Sequence, residues 1–355
     1  MAETAPMTTT HNTPPVEKSL NISASTAEMP FVYVAQRVVE KICQGALRYK
    51  RNETGEALIG LVVPLPENAV PELYILDTIP PMEDVIRRSV MFVQGDGWQT
   101  NISEWWQENW KLYREMHHTS RGKNSKWDVP LRHLGDWHKQ PGAMIAPSTE
   151  DLHTARLHLE AMDTDFLLAP IVTLAEYSEN IPPTENTLIV EATSTTKSAR
   201  IRIDFWWLRK EGRDFEPVKV VVRPNAYFPG LPPVVWWIKR RQRFDEELVA
   251  LEKNGLEVMD VVTWNTRGHP PLDTCLTIWR PGTSRVIIAM TPVNYPTRSP
   301  IWRVAPIMRP KEGQDLFETL LNASTKVPEG VLPTWTDEHL LVDGVKAIEA
   351  WEKTK

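Results

Sequence analysis

The span Gly135-Asp-Trp-His-Lys-Gln-Pro-Gly-Ala-Met-Ile-Ala-Pro-Ser-Thr-Glu-Asp151 gathers a histidine, a serine and an acid behind an apolar run. An imidazole nitrogen and a carboxylate are ordinary ligands for a divalent metal such as zinc, so His138 and Asp151 are candidate ligands. Ser148 brings a hydroxyl close to both in sequence. The chemistry this set suggests is metal-assisted hydrolysis, in which a bound water attacks a carbonyl carbon.

Such residues need rigid elements behind them. Residues Val129 to Trp137 read as the strand that delivers His138, and Leu152 to Met162 as a helix opened by Asp151. Ser148 or Thr149 is placed to cap that helix. Upstream, Ala35, Val38, Val39, Ile42, Ala46 and Tyr49 recur at helical spacing, so a helix with one buried face is expected over Ala35 to Arg48. Glu53 to Pro64 reads as a turn entering a buried strand. Leu73 to Ile79 and Val90 to Val93 read as two further strands. A second helix is expected over Ser103 to His118, with Ser103 as its N-cap. Phe166 to Leu174, Ile201 to Leu208 and Val218 to Val222 complete the strands of this half.

Composition narrows the classes. The chain has 355 residues, enough for two domains with their own cores. A net charge of −6 supplies no basic field, which argues against nucleic-acid binding. No apolar run approaches the roughly 20 residues that span a bilayer, and the N-terminus has no apolar signal core. Cys43 and Cys275 are the only cysteines, too few for a disulfide framework or a cysteine-based zinc site. A cytoplasmic protein is expected. Residues 1 to 28, rich in Thr, Ser, Pro, Ala and Glu, are expected to be a disordered tail.

The motif spacing resembles that of the JAB/MPN (JAMM) metallopeptidases, His-x-His-x7-Ser-x2-Asp. Here it runs His138, Lys139, Gln140, seven residues, Ser148, two residues, Asp151, with glutamine where the family has its second histidine. The resemblance implies zinc held by His138 and Asp151, with Gln140 in the third ligand position, and Ser148 as donor to the oxyanion of the tetrahedral intermediate. It also implies a general base at the end of the first helix, in a Glu-x-x-Gly-x-Leu-x-Gly context. Glu53, Leu58 and Gly60 match that context, and Glu56 stands where glycine is usual, so Glu53 is the expected base and Glu56 the fallback. No nearby histidine is an obvious substitute for the missing ligand. His133 lies at an odd offset from His138 and would face the other way in a continued strand. His153 points away around its helix and His158 sits about 10 Å further along it. His117 and His118 end the preceding helix. Lys139 is expected to be solvated.

Arg223 to Pro233 is rich in breakers and reads as a domain junction. Beyond it, Phe244, Leu248 and Leu251 mark a helix, and Thr274 to Trp279 and Arg285 to Thr291 read as strands. Next comes Tyr295-Pro296-Thr-Arg-Ser-Pro300, then another strand. This order resembles the ubiquitin-conjugating-enzyme and RWD superfamily. No cysteine follows Tyr295, so the resemblance implies a binding module without catalysis.

The expected fold is α+β throughout. A JAMM/MPN-like mixed sheet flanked by helices would span 29–223, and a smaller UBC/RWD-like domain 234–355. Two functions follow from the resemblances. One is a zinc isopeptidase cleaving a peptide or isopeptide bond at a ubiquitin-like modifier. The other is an inactive MPN-like scaffold that binds a partner or a ubiquitin-like protein.

Overall fold

A computed structural model describes residues 29–49, 51–65, 70–82, 85–88, 91–93, 97–121, 125–162, 164–193 and 198–355. The tail expected over 1–28 lies outside them, as do parts of the strand expected at Val90 and of the loop expected after Gly122. The chain divides into two compact units, one ending at Leu231 and one opening at Pro232. Both are mixed α and β.

The first unit is built on an 11-stranded mixed sheet. In chain order its elements begin with β1 (Val32–Ala35), α1 (Gln36–Arg48), β2 (Gly55–Val63), β3 (Glu72–Ile79), the short hairpin β4 (Ile86–Arg88) and β5 (Met91–Val93), and α2 (Gly97–Arg121). They continue with β6 (Leu131–Lys139), α3 (Thr149–Ala161), β7 (Phe166–Leu168), β8 (Ile171–Leu174), β9 (Thr187–Thr193), β10 (Ser198–Asp204), β11 (Trp206–Arg209), β12 (Glu216–Pro217) and β13 (Val220–Arg223). The main path is β12-β11-β7-β6-β2-β3-β1-β13, with β8 also on β6 and leading to β10 and β9; the hairpin forms a sheet of its own.

The helical spacing read over Ala35 to Arg48 becomes α1, which buries Val38, Val39, Ile42, Cys43 and Ala46 along one face. Burying a Val or Ile side chain fully is worth about 1.5–3 kcal/mol, so this stripe alone fixes the helix to the sheet. On the central strands, Leu58, Leu61, Leu73, Ile75, Leu134 and Trp137 are all fully buried. The structure corrects several boundaries. α2 already runs from Gly97, six residues ahead of the expected cap at Ser103. The strand expected over Phe166–Leu174 is two, separated at Ala169-Pro170, because proline cannot continue a ladder inside a sheet. Likewise the run Ile201–Leu208 divides at Phe205.

The strand that delivers the motif is not regular. β6 pairs Leu58 with Gly135 but Ile59 with His133, leaving Leu134 as an extra residue, a β-bulge. Gly135 there has φ +135°, and a Cβ on it would lie 2.0 Å from the carbonyl oxygen of Leu168. Only glycine fits this approach of β7 to β6.

The second unit contains α4 (Trp236–Lys239), α5 (Arg241–Lys253), β14 (Glu257–Trp264), β15 (Asp273–Trp279), β16 (Arg285–Thr291), β17 (Ile301–Pro306), α6 (Leu316–Ala323), β18 (Thr325–Lys326) and α7 (Leu341–Glu352). Its five strands form an antiparallel meander in sequence order. Cys275, Val286, Ile288, Met290 and Ala305 pack beneath Phe317 and Leu320 of α6.

Candidate functional site

Three segments meet at one end of β6. The first is the end of β6 itself, carrying His138 and running on to Gln140. The second is the N-terminus of α3, where Ser148 is the cap: its hydroxyl accepts from the Asp151 backbone N–H at 3.2 Å, and Asp151 reaches back to the Ser148 backbone N–H at 2.6 Å. This reciprocal capping box turns the Ser-x-x-Asp spacing into a fixed geometry. The third is the turn before β2. β2 and β6 are antiparallel with Gly55 opposite His138, and Lys139 N–H donates to the Thr54 carbonyl at 2.7 Å. Continuing that register sets Glu53 opposite Gln140. Glu53 is tied down from its other side by its own N–H, which donates to the Arg88 carbonyl of the β4–β5 hairpin at 2.8 Å.

Asp151 is the centre of the polar network. Its Oδ2 accepts from the Ser148 hydroxyl at 2.7 Å and from the Gln140 side-chain Nε2 at 2.9 Å, while Oδ1 lies 3.4 Å from His138 Nε2. Burial alone would raise this carboxyl. The bonds and charge from His138, with the Ser148 N–H and hydroxyl, outweigh it and hold Asp151 at about 2. Gln140 is buried, and its Nε2 lies 3.2 Å from His138 Nε2. One amide proton is thus directed at Asp151, while His138 Nε2, turned to the other oxygen of Asp151, lies against the same amide nitrogen. The other end of the same amide, Oε1, is buried with no hydrogen-bond partner among the described residues.

These separations test a metal. A tetrahedral zinc with bonds of about 2.0–2.1 Å sets its donor atoms about 3.3–3.4 Å apart. His138 Nε2 and Asp151 Oδ1 stand 3.4 Å apart, and the Gln140 amide tip is 3.2 Å from the same His138 nitrogen. Turning the amide over would bring Oε1 to that tip. It would then face the Asp151 carboxylate, an arrangement that is repulsive unless a cation lies between them. The two separations from His138 are those of a divalent site, and the Gln140 amide tip lies nearer to Asp151 Oδ2, at 2.9 Å, so an ion held by His138, Asp151 and the carbonyl oxygen of Gln140 would move these two groups slightly apart. Among the described residues, no three His, Cys, Asp or Glu side chains are grouped to hold a metal, so the third donor would be the neutral amide.

The two candidate bases separate. Burial pushes the Glu53 carboxyl up, His138 pulls it back and Asp151 pushes it up again, leaving it above the usual range. Those neighbours are the motif residues. Glu56, raised by its own burial, instead accepts from the Thr78 hydroxyl at 2.5 Å and lies across from Gly45 of α1. It faces away from His138, whereas Glu53 feels the charges of His138 and Asp151. Lys139 is a correction to the sequence reading. Far from solvated, it is buried, donates to the Tyr49 carbonyl at the end of α1, and its ammonium is brought down to about 8 by burial, against the pull of Glu53.

A second correction concerns His133. The bulge at Leu134 shifts the alternation by one residue, so His133 shares a face with Asp136 and His138. His133 Nε2 is 3.3 Å from Asp136 Oδ1, and its ring stacks on His158 of α3 at 5.2 Å between centroids. Burial would lower His133, but Asp136 beside it raises it overall; His158 is lowered, chiefly by burial. Sequence spacing alone missed this second tier, because alternation carries no mark of a bulge except the glycine beside it.

Neither a protein-family model nor a curated protein matches the chain. Among solved structures, it is similar to a solution structure of protein DSY2949 from Desulfitobacterium hafniense, at 13% identity and a TM-score of 0.28, covering 54% of this chain and 93% of that one.

Proposed function

We propose that the first unit is a JAMM-type, zinc-dependent hydrolase of a peptide or isopeptide bond at a ubiquitin-like modifier. The observation that carries this is the donor spacing at His138, Gln140 and Asp151, with a carboxylate of raised pKa, Glu53, laid beside it by an independent strand. Bound there, zinc would lower the pKa of a water to roughly 7 and so supply hydroxide at neutral pH. The remaining work belongs to the chain. Glu53 takes the proton of the attacking water and returns it to the leaving amine, a task suited to an acid pushed toward neutrality. Ser148 fixes Asp151 through its backbone and hydroxyl; turned toward substrate, the same hydroxyl donates to the oxyanion. Lys139 anchors the end of β6 to α1.

We assign the second unit as a UBC/RWD-like module that binds the modifier. The order of a helix, an antiparallel meander and the Tyr295-Pro296-x-x-x-Pro300 segment supports it. Cys275 is fully buried in β15 and burial raises its thiol, so it offers no nucleophile.

One observation favours the second reading, a metal-free scaffold: the Gln140 amide already donates to Asp151, and His138 already pairs with the same carboxylate. Zinc content separates the two. The native protein is expected to hold about one zinc per chain, lost in His138→Ala, and to cleave a ubiquitin-like fusion. Zinc found only in Gln140→His would instead establish the scaffold, and no zinc in any variant would overturn the site.

A further inference from the structure

In the second unit the packing of α7 against the sheet is incomplete at one end. Ile278 stands opposite Ile287 and Ile287 opposite Val304, so three apolar side chains form a row across β15, β16 and β17. Their neighbours Val286 and Ile288 turn the other way, under α6. Ile348 of α7 and Leu256, just past α5, face the row, and all of these side chains are buried. Between them lies a cavity of about 220 Å³. Protein interiors leave few voids larger than one water, whose share of the liquid is roughly 30 Å³. Apolar walls give water no partners and favour an apolar guest: a cavity of about 150 Å³ lined by Leu, Ile and Phe takes up benzene. Scaled from the carbons of benzene, this cavity suits a chain of about eight carbons.

The mouth is charged. Arg280 gives Nε and Nη2 to the two oxygens of Glu349, at 2.6 and 2.9 Å, and Nη1 to the Asn254 carbonyl at 2.8 Å. Glu352 takes the Lys355 ammonium at 2.6 Å. Both acids at the mouth are thereby satisfied. The remaining cations are not. Arg285 Nε comes only within 3.7 Å of Glu352, beyond hydrogen-bond distance, and among the described residues the Lys353 ammonium makes no ion pair. Both residues line the opening and are exposed. Two under-used cations at the mouth of an apolar cavity match an anionic head on an apolar tail.

We propose that this cavity binds a medium-chain carboxylate, its tail among Ile278, Ile287 and Ile348 and its head between Arg285 and Lys353. The cavity shares no residue with the hydrolase site, so it stands or falls separately from it.

Titration of the full chain with octanoate, followed by calorimetry and by the carbon-13 signals of the isoleucine methyl groups, would test this. Octanol lacks the charge, octylammonium reverses it and acetate lacks the tail. Octanoate is expected to saturate the protein and shift those methyl signals, with octanol and octylammonium at least about tenfold weaker and acetate without effect. Arg285→Ala combined with Lys353→Ala, both at exposed positions, is expected to bring octanoate down to the affinity of octanol and leave octanol unchanged. Ile287→Phe, which fills the cavity, is expected to abolish binding of both; should that variant fail to fold, the surface pair decides. The proposal is overturned if the native chain does not bind octanoate, or if octanol or octylammonium binds as tightly. It is equally overturned if the surface pair leaves the preference for octanoate intact, or if folded Ile287→Phe binds octanoate unchanged.

Discussion

Each unit holds a carboxylate at the centre of a polar network, and the two networks differ in one respect. In the second unit Glu247 is fully buried. Its Oε1 accepts from Arg243 Nε at 2.9 Å and from the Tyr295 hydroxyl, and its Oε2 accepts from the Leu341 backbone N–H at 2.6 Å. The Arg243 guanidinium goes on to the carbonyls of Asp337 and His339. That network is closed: it ties α5 to the start of α7 and to the Tyr295 segment. Around Asp151 the network is open, because the buried Gln140 amide oxygen has no partner among the described residues. Closed polar networks hold elements in place, whereas a buried acceptor left over is an invitation to a ligand.

The largest effect should come from breaking the closed side. Glu247→Leu strands a guanidinium, a phenol and a backbone N–H, and should cost about 3–5 kcal/mol in chemical denaturation. A loss below ~1 kcal/mol would mean that the second unit does not depend on this network. Next is Gly135→Ala, which forces an unfavourable φ and drives a methyl into Leu168; a loss of on the order of 3 kcal/mol is expected. Ser148→Ala removes the helix cap and the hydroxyl bond to Asp151, and should cost about 1 kcal/mol while weakening any metal bound through Asp151. If metal affinity were untouched by Ser148→Ala, the capping box would be a helix device with no part in the site.

The smallest effect is in the pH dependence, and it has opposite signs in the two networks. Asp151 is held down at about 2, so its contribution to stability is present above its unfolded pKa and is lost as pH falls through about 2. For Glu247, burial outweighs Tyr295, the Leu341 N–H and Arg243, and its folded pKa is raised. Its ionisation therefore costs stability as pH rises from the unfolded pKa through the folded one. Carboxyl carbon NMR titrations, assigned with Asp151→Asn and Glu247→Gln, should show Asp151 ionised well below pH 4 and Glu247 protonating above the ordinary glutamate value. The same direction for both would erase the contrast.

Much of the candidate site was legible because its residues lie close in sequence. Ser148 and Asp151 are three apart, the spacing of a capping box, and His138 precedes them at the end of a strand. Glu53 was placed only by the resemblance; the β2–β6 register supplies the physical reason. What stayed illegible depended on contacts between distant segments. Lys139 reads as a surface charge until α1 is seen to offer it the Tyr49 carbonyl. His133 reads as misdirected until Leu134 is recognised as an extra residue. β1 is four residues long and runs straight into α1, so its strand character comes from pairing in parallel with both β3 and β13. β14 carries Glu257 and Asp260 within a half-exposed strand, which blurs its alternation.

The unpartnered oxygen of Gln140 has one further consequence. A terminal amide is a rotor with two settings that differ in which atom faces His138 and Asp151, and an ion admits only one of them. The side-chain amide protons of a single residue are then an indicator of occupancy, shifting when the rotor turns and staying put when it does not. The glutamine beside His138 and Asp151 is thereby a built-in gauge, readable by nitrogen-15 spectroscopy without any substrate in hand.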